Sequence, residues 1–342
     1  MAITLNSGFK MPIIGLADYK NEADVGVALK EAFTSGLVKR EDLFITTKLW
    51  NSDHGHVIEA CKGSLKKLQL DYLDLYLVHF PVATRLTGVG TTDSALGDDG
   101  VLDIDTTIFL ETTWHAMEDL VRSIGISNYD IFLTRDCLAY SKIKPAGNQI
   151  ETHPYFQRDS LVKFCKKHGV CVTAHTPLGG AAADTEWFGT VSCLDDQVLK
   201  GLAEKYKKTA AQSALRWGIQ RNTVGIPKSS KLERLKKNIQ VFDFELSKED
   251  MELIGSMDKK YRTNQPARNP RILNTSQDSR DTSESARPLL KRKAVGRASY
   301  MQGQRNNFIF SGRWPRQIQF QLACWFQLIC LFRSQIYPSL VV

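Results

Sequence analysis

The chain has 342 residues, 42% of them hydrophobic, enough for one large domain or two ordinary ones with a substantial buried core. Its net charge of +8 suggests a nucleic-acid partner until it is divided at Ala267: residues 1–267 carry 33 Lys+Arg against 34 Asp+Glu, residues 268–342 carry 12 against 3, and the whole basic excess sits in the tail. Seven cysteines without a CxxC pair argue against a disulfide framework or a zinc knuckle, and MAITLNSGFK lacks the basic-then-apolar order of a secretory signal, so a cytoplasmic protein is expected.

In chain order, PIIGL reads as a short strand that runs straight into ADYKNE, an acidic and amidic helix start with Tyr19 at the junction. LFITTKL, YLDLYLVHF, RSIGISN, PAGNQIE, VCVTAHTPL and NTVGIPKS follow as six strand candidates. Between them lie amphipathic stretches with apolar residues three and four apart, among them GHVIEACKGSLKKLQ, DSLVKFCKKHG, QVLKGLAEKYKK and TAAQSALRWGIQR. Strand and helix alternating at this rhythm predict a parallel α/β sheet. Lys48, His79, Ser127 with Asn128, Gln149, Thr176 and Lys228 each fall at or just past the C-terminal end of a strand, where parallel barrels gather ligand-binding side chains. No GxGxxG or GxxxxGK[ST] is present to favour an open doubly wound sheet, so a barrel is expected. After RTNQPAR the composition turns Ser/Thr/Arg/Asn-rich, with the basic cluster KRKAVGR, and most of the tail is expected to be disordered. The terminal run FQLACWFQLICLF is too short to cross a bilayer, so no membrane partner is expected.

Seven motifs in order, DYKNEADVGVAL, ITTKLWNSDHG, LDLYLVHFP, SIGISN, NQIETHPY, AHTPLGG and IPKSSKLERLKKN, resemble the aldo-keto reductases over residues 1 to about 267. Within that family the wording is most similar to the plant aldose 6-phosphate reductases. The resemblance implies a (β/α)8 barrel of the TIM type, NADPH held without a Rossmann unit, and hydride transfer to the carbonyl of a sugar phosphate. It implies Tyr19 as proton donor, Lys48 as the cation that lowers the phenol's pKa, and His79 as the group that orients the carbonyl. The physical chemistry agrees, since an ammonium stabilises a phenolate and an imidazole N–H can meet a developing oxyanion. Singly, each residue has a bland reading as a packing tyrosine, a solvated lysine or a satisfied core histidine. The resemblance further assigns Ser127, Asn128 and Gln149 to the nicotinamide carboxamide, His175 to the place of the stacking aromatic, and Thr176 to the pyrophosphate side. Lys228, Ser229, Arg234 and Asn238 match the surroundings of the adenosine 2′-phosphate, where two cations and a hydroxyl suit a dianion and favour NADPH over NADH. His54 and His56 lack an accompanying carboxylate or cysteine cluster, so no metal is expected.

Several departures from the family are visible. The aspartate that stands five residues before the catalytic tyrosine is replaced by Ile14, and the first helix and second strand of the barrel are absent, with IIGL joined directly to ADYKNE. Adjacent side chains on an extended chain point to opposite faces, so Asp18 is not expected to substitute. HAMEDLVRSIGISN passes from helix to strand without a glycine-containing turn, so that helix is expected to unwind. Gly147 and Gly225 fall inside strands, Lys237 replaces an acidic residue near the adenine, and the tail replaces the loop that walls the substrate pocket. An incomplete barrel is therefore expected over residues 1–267, with residues 268–342 unrelated to it. Its activity is expected to be impaired, with Lys48 lacking an anionic partner and its pKa lowered by burial. The alternative is a non-catalytic remnant that binds NADPH or a partner protein. The basic tail has no aromatic-interleaved motif, so no specific nucleic acid is expected, and the sequence leaves the oligomeric state unspecified.

Overall fold

The computed structural model describes residues 1–16, 21–98, 100–120, 122–180, 192–229, 231–263 and 340–341. Tyr19 and Lys20 lie outside them, as does nearly all of the tail for which disorder is expected.

An antiparallel hairpin opens the chain: β1 (Ala2–Thr4) pairs with β2 (Lys10–Pro12), and Gly8 makes the turn with φ of 85°. Leu5 and Met11 of this hairpin pack with Phe44, Leu75, Ala146 and Val224, residues at the starts of the strands that follow. Asn6 donates to the Pro145 carbonyl at 2.9 Å, also at a strand start. The hairpin therefore plugs the N-terminal end of the sheet and leaves the C-terminal end open for a site.

The sheet has six parallel strands in sequence order: β4 (Thr46–Leu49), β5 (Leu75–Val78), β6 (Ile124–Ser127), β7 (Gly147–Glu151), β8 (Cys171–His175) and β9 (Val224–Gly225). All six strand candidates contain one of these ladders. Every side chain of β5, β6 and β7 is buried, as befits a sheet covered on both faces. Ile14 joins the β9 edge by a parallel bridge, with Gly225 N–H donating to the Ile13 carbonyl at 3.0 Å and Gly15 N–H to the Gly225 carbonyl at 2.9 Å. A Cβ at Gly225 would meet Ile14 and Leu215 at 3.4 Å, an ordinary packing distance, so space alone does not demand glycine there. Both strand glycines keep their places in the ladders, Gly147 opposite Cys171 and Gly225 opposite Ala174.

Helices α1 (Glu22–Thr34), α2 (Val57–Leu68), α3 (Leu110–Met117), α4 (Ile131–Tyr140), α5 (Asp159–Lys167), α6 (Gln197–Tyr206), α7 (Ala210–Gln220), α8 (Leu232–Ile239) and α9 (Lys248–Gly255) accompany the sheet. Their starts are legible: Thr209 with Gln212 forms a capping box, and Asp130, Asp196 and Ser247 each accept a backbone N–H of the first turn. Where α1 crosses α2, a Cβ on Gly26 would lie 2.1 Å from the Lys67 carbonyl oxygen, so glycine is required at that contact. The principal core cluster joins Leu29 and Ala32 of α1 to Ile45, Leu49, Tyr76, Trp114 and Ile126.

Two expected irregularities are visible. Helix α3 ends at Met117, and residues 118–120 form a turn ahead of β6, which starts at Ile124. Glu118 steadies that connection, its carboxylate accepting the N–H groups of Lys142 and Ile143 at 2.7 and 2.8 Å, Trp114 Nε1 at 3.1 Å and His115 Nδ1 at 2.9 Å. Replacing Glu118 with alanine strands these donors and is expected to cost about 2–4 kcal/mol of stability, read as a lowered urea midpoint at unchanged slope. The second irregularity is the opening. Among the described residues no ladder connects β4 to the Ile14 segment, the two edges that a further strand would bridge. Beside β4, the dipeptide β3 (Leu43–Phe44) pairs in parallel with β10 (Leu340–Val341), the described part of the tail.

Candidate active site

The sheet gathers most of the expected residues at its C-terminal end. Lys48 lies in β4 opposite Leu77, and His79 follows β5. Ser127 ends β6 opposite Gln149, Asn128 follows it, and His175 ends β8 opposite Glu151 with Thr176 next. Hydrogen bonds tie four strand ends together. The Asn128 amide donates to the His79 carbonyl at 2.9 Å, its side-chain carbonyl lies 3.2 Å from His175 Nε2, and His175 Nδ1 lies 3.1 Å from the Thr176 hydroxyl. Ser127 donates to the Gln149 carbonyl at 2.9 Å, and the Asn128 backbone N–H donates to the same oxygen at 3.0 Å.

Asn128 and Thr176 both adopt left-handed backbone angles, with φ of 63° and 52°. For asparagine this is a familiar choice; for a β-branched threonine it is an outlier of the kind that clusters at functional sites. The His79 ring packs edge-on against Trp50 at 5.0 Å and stacks on Phe80 at 4.6 Å, which fixes its plane.

Burial dominates the electrostatics. It lowers the pKa of Lys48 to about 8, against the opposing attraction of Glu22, and that of His175 to about 4. A neutral His175 that donates from Nε2 to Asn128 and accepts at Nδ1 from Thr176 satisfies both ring nitrogens with one tautomer. His54, buried beside Thr113, is likewise held down at about 4. In an unfolded chain both histidines bind a proton near pH 6.5, so the unfolded state holds more protons across the interval between 4 and 6.5 and stability falls as pH drops through it. At pH 5 each is expected to cost about 2 kcal/mol, visible as a loss of urea stability between pH 7 and 5 that shrinks when His54 is replaced by glutamine.

The second expected group stands apart. Lys228, exposed, and Ser229 follow β9, and Arg234 and Asn238 sit one turn apart on α8, the first exposed and the second buried. Lys237 is exposed on the same helix. The strand–loop–helix order brings two cations and a hydroxyl into one segment, and the described hydrogen bonds do not link it to the Asn128 network.

A cavity of about 130 Å³ reaches Lys48 and His79, and its lining shows how it is placed. Four consecutive residues of one extended segment, Ile45, Thr46, Thr47 and Lys48, line it together with Glu22, Asp53 and Tyr76. Successive strand residues face opposite sides of a sheet, so a cavity touching all four runs along the strand's edge. It occupies the side of β4 that the absent strand would cover. Glu22 projects into that space; the Thr47 hydroxyl donates to its Oε1 at 2.6 Å, and Lys67 Nζ lies 3.7 Å from its Oε2. Glu22 lines the same cavity as Lys48, but its ion pair is with Lys67; burial is the larger cause of the lowered Lys48 pKa, as expected, and the charge of Glu22 is the lesser, opposing one.

The profile of the aldo/keto reductase family matches residues 16–259. The chain belongs to the aldo/keto reductase family. It is 62% identical over 299 residues to the NADP-dependent D-sorbitol-6-phosphate dehydrogenase of Malus domestica, covering 78% of this chain and 96% of that one. It is 42% identical over 273 residues to aldose reductase B of Dictyostelium discoideum, covering 78% and 85%. The solved aldose reductase of Schistosoma japonicum superposes with a TM-score of 0.72 at 33% identity, covering 82% of this chain and all of that one. The protein is thus an oxidoreductase of the TIM-barrel type. The 299 positions aligned with the apple enzyme are more than 78% of a 342-residue chain can supply, so part of that alignment faces no residue here. Among the described residues, no helix is long and apolar enough to cross a membrane.

Proposed function

We propose that the protein reduces an aldose 6-phosphate to the alditol phosphate with NADPH, slowly, because the barrel strand that carries the catalytic aspartate is absent. The convergence of Lys48, His79, Asn128 and His175 at neighbouring strand ends supports this most strongly, since it assembles the carbonyl-polarising and ring-holding groups at one mouth. The residues suit the cofactor: the left-handed turn at Asn128 presents an amide beside Ser127, neutral His175 offers an uncharged ring, and Lys228 with Arg234 offers cations for a phosphate. Bound NADPH supplies the hydride. Tyr19 gives the proton to the carbonyl oxygen, Lys48 lowers the cost of the phenolate left behind, and His79 donates to the oxygen as its charge grows. Ser127, Asn128 and Gln149 fix the carboxamide, Thr176 approaches the pyrophosphate, and Ser229 and Asn238 complete the 2′-phosphate site. Residues 1–267 form the reductase unit, in the cytoplasm, and residues 268–342 are an appended segment.

Sugar phosphate is preferred as substrate because of the name borne by the apple relative. The edge cavity, which records the missing strand, favours a second reading in which nucleotide binds without turnover. Titration with NADPH and NADH, followed by tryptophan fluorescence, tests the cofactor site. Saturable quenching with tighter binding of NADPH is expected, and a preference that survives Arg234→Ala with Lys228→Ala would overturn the phosphate assignment.

A further inference from the structure

The opening in the sheet is not empty along its whole length. We propose that the free edge of β3 is a docking site for this chain's own C-terminal strand, which takes the place of the first part of the missing barrel strand, so that the appended segment ends inside the barrel. Ile45, between β3 and β4, turns its backbone toward β5: its carbonyl accepts the N–H groups of Asp74 and Leu75 at 3.0 and 3.2 Å, and its N–H donates to the Asp74 carboxylate at 2.8 Å. Alternate residues of an extended strand turn their backbone groups to opposite edges, so Phe44 presents its N–H and C=O to the free side. Phe44 is buried in one cluster with Leu5, Met11 and Leu75, where an unpaired backbone group costs as much as a lost hydrogen bond. β10 meets that need. Val341 is the parallel partner of Phe44 and Leu340 that of Leu43, and β10 also lies alongside β2, which leads into Ile14. It therefore stands between the two edges that a further strand would bridge.

The rest of the opening fits this register. Only Val342 lies beyond Val341 in the chain, so no residue is left to face Thr46, the next to turn its backbone outward. The Thr46 hydroxyl is buried with no hydrogen-bond partner among the described residues, and the cavity lies along this stretch, lined by Ile45, Thr46, Thr47 and Lys48. The strand covers the edge as far as the chain extends, and the cavity follows where the chain has run out. Length and composition favour this occupant. A parallel pair needs a long crossover rather than a tight turn, and residues 264–339, at roughly 3.3 Å per extended residue, reach from one end of the sheet to the other several times over. The closing SLVV is apolar and ends in two β-branched residues, which suits a short buried strand. The pairing is independent of the reaction proposed above.

Amide hydrogen exchange of the full chain, read by mass spectrometry on the peptides that contain Leu43–Phe44 and Leu340–Val341, tests the docking. Both peptides are expected to be protected. Ending the chain at Ser339 is expected to speed exchange in the Leu43–Phe44 peptide by at least about tenfold while peptides from β6 and β7 keep their rates. Leu340→Pro, which takes a backbone N–H out of the strand at full chain length, should do the same. Unchanged exchange at Leu43–Phe44 in both variants overturns the docking. Should the shortened chain associate through its bared edge, Leu340→Pro decides alone. Protection that disappears on dilution together with a dimer, followed by analytical ultracentrifugation, would give the strand to a second copy and overturn docking within one chain. In a chain with the missing helix and strand inserted between Leu16 and Tyr19, the edge is taken and Leu340–Val341 should exchange freely; protection that persists there would place the strand elsewhere and overturn the proposal.

Discussion

Inserting the helix and strand absent between Leu16 and Tyr19, copied from the apple relative, is expected to raise kcat for aldose 6-phosphate reduction by at least about 100-fold. Displacing a reacting group by 1 Å commonly costs that much, and here a whole barrel strand beside Lys48 is gone. The edge cavity lined by Ile45 to Lys48 is the structural trace of the loss, and the unjoined β4 and Ile14 edges are its topological trace. Seven strands cannot keep the tilt and stagger of eight, so the Tyr19 to His79 geometry is expected to be looser than in a complete barrel. The insertion should fill the cavity, supply the missing carboxylate and raise kcat more than it changes KM for NADPH, because the residues proposed to hold the nucleotide lie on or after β6 to β9 and on α8, away from the gap. Steady-state kinetics of the two proteins measure this, and an unchanged kcat would show that the strand is dispensable.

A second large effect is expected in alkali. Burial lowers Lys48 to about 8, so it loses its proton between pH 8 and 10.5, where a solvated lysine would keep it. A neutral amine cannot acidify the phenol of Tyr19. The rate is therefore expected to fall about tenfold per pH unit above pH 8, while full protonation is retained at pH 7 and below. Acid conditions favour the enzyme as far as the lysine is concerned, until the buried histidines begin to cost stability. In the strand-restored protein the fall should begin at higher pH, because a second carboxylate then supports the ammonium. Equal pH-rate profiles for the two proteins would refute a depressed lysine.

Much of the fold was legible because the sequence repeats one physical pattern. Each β-branched run ends in a polar residue, and parallel strands that begin on one plugged end must finish together at the other; this is how Lys48, His79, Ser127, Asn128, Gln149, His175 and Thr176 could be placed at one mouth from sequence alone. The capping signals of α4, α6, α7 and α9 are local and were equally readable. Glu22 was not read as a residue of this cavity, because its bonds to Thr47 and Lys67 depend on α1 crossing α2 at Gly26, a contact between residues far apart in the chain. The clamp of Glu118 on Lys142 and Ile143 is nonlocal for the same reason. The left-handed angle of Thr176 had no signal in its residue type, which disfavours that conformation; the hydrogen bonds of its neighbours impose it. Tyr19, the proposed proton donor, lies outside the described residues and is assigned from the sequence alone.

The decisive measurement is the oxidation of NADPH by the full 342-residue chain at pH 7 with a hexose 6-phosphate, followed by nicotinamide absorbance and set beside the same assay with the unphosphorylated hexose and with Tyr19→Phe. Slow, saturable oxidation that requires the phosphate and vanishes in Tyr19→Phe is expected. Oxidation that persists in Tyr19→Phe, or none at all under conditions where NADPH saturates its binding, would contradict an active reductase built on this mouth.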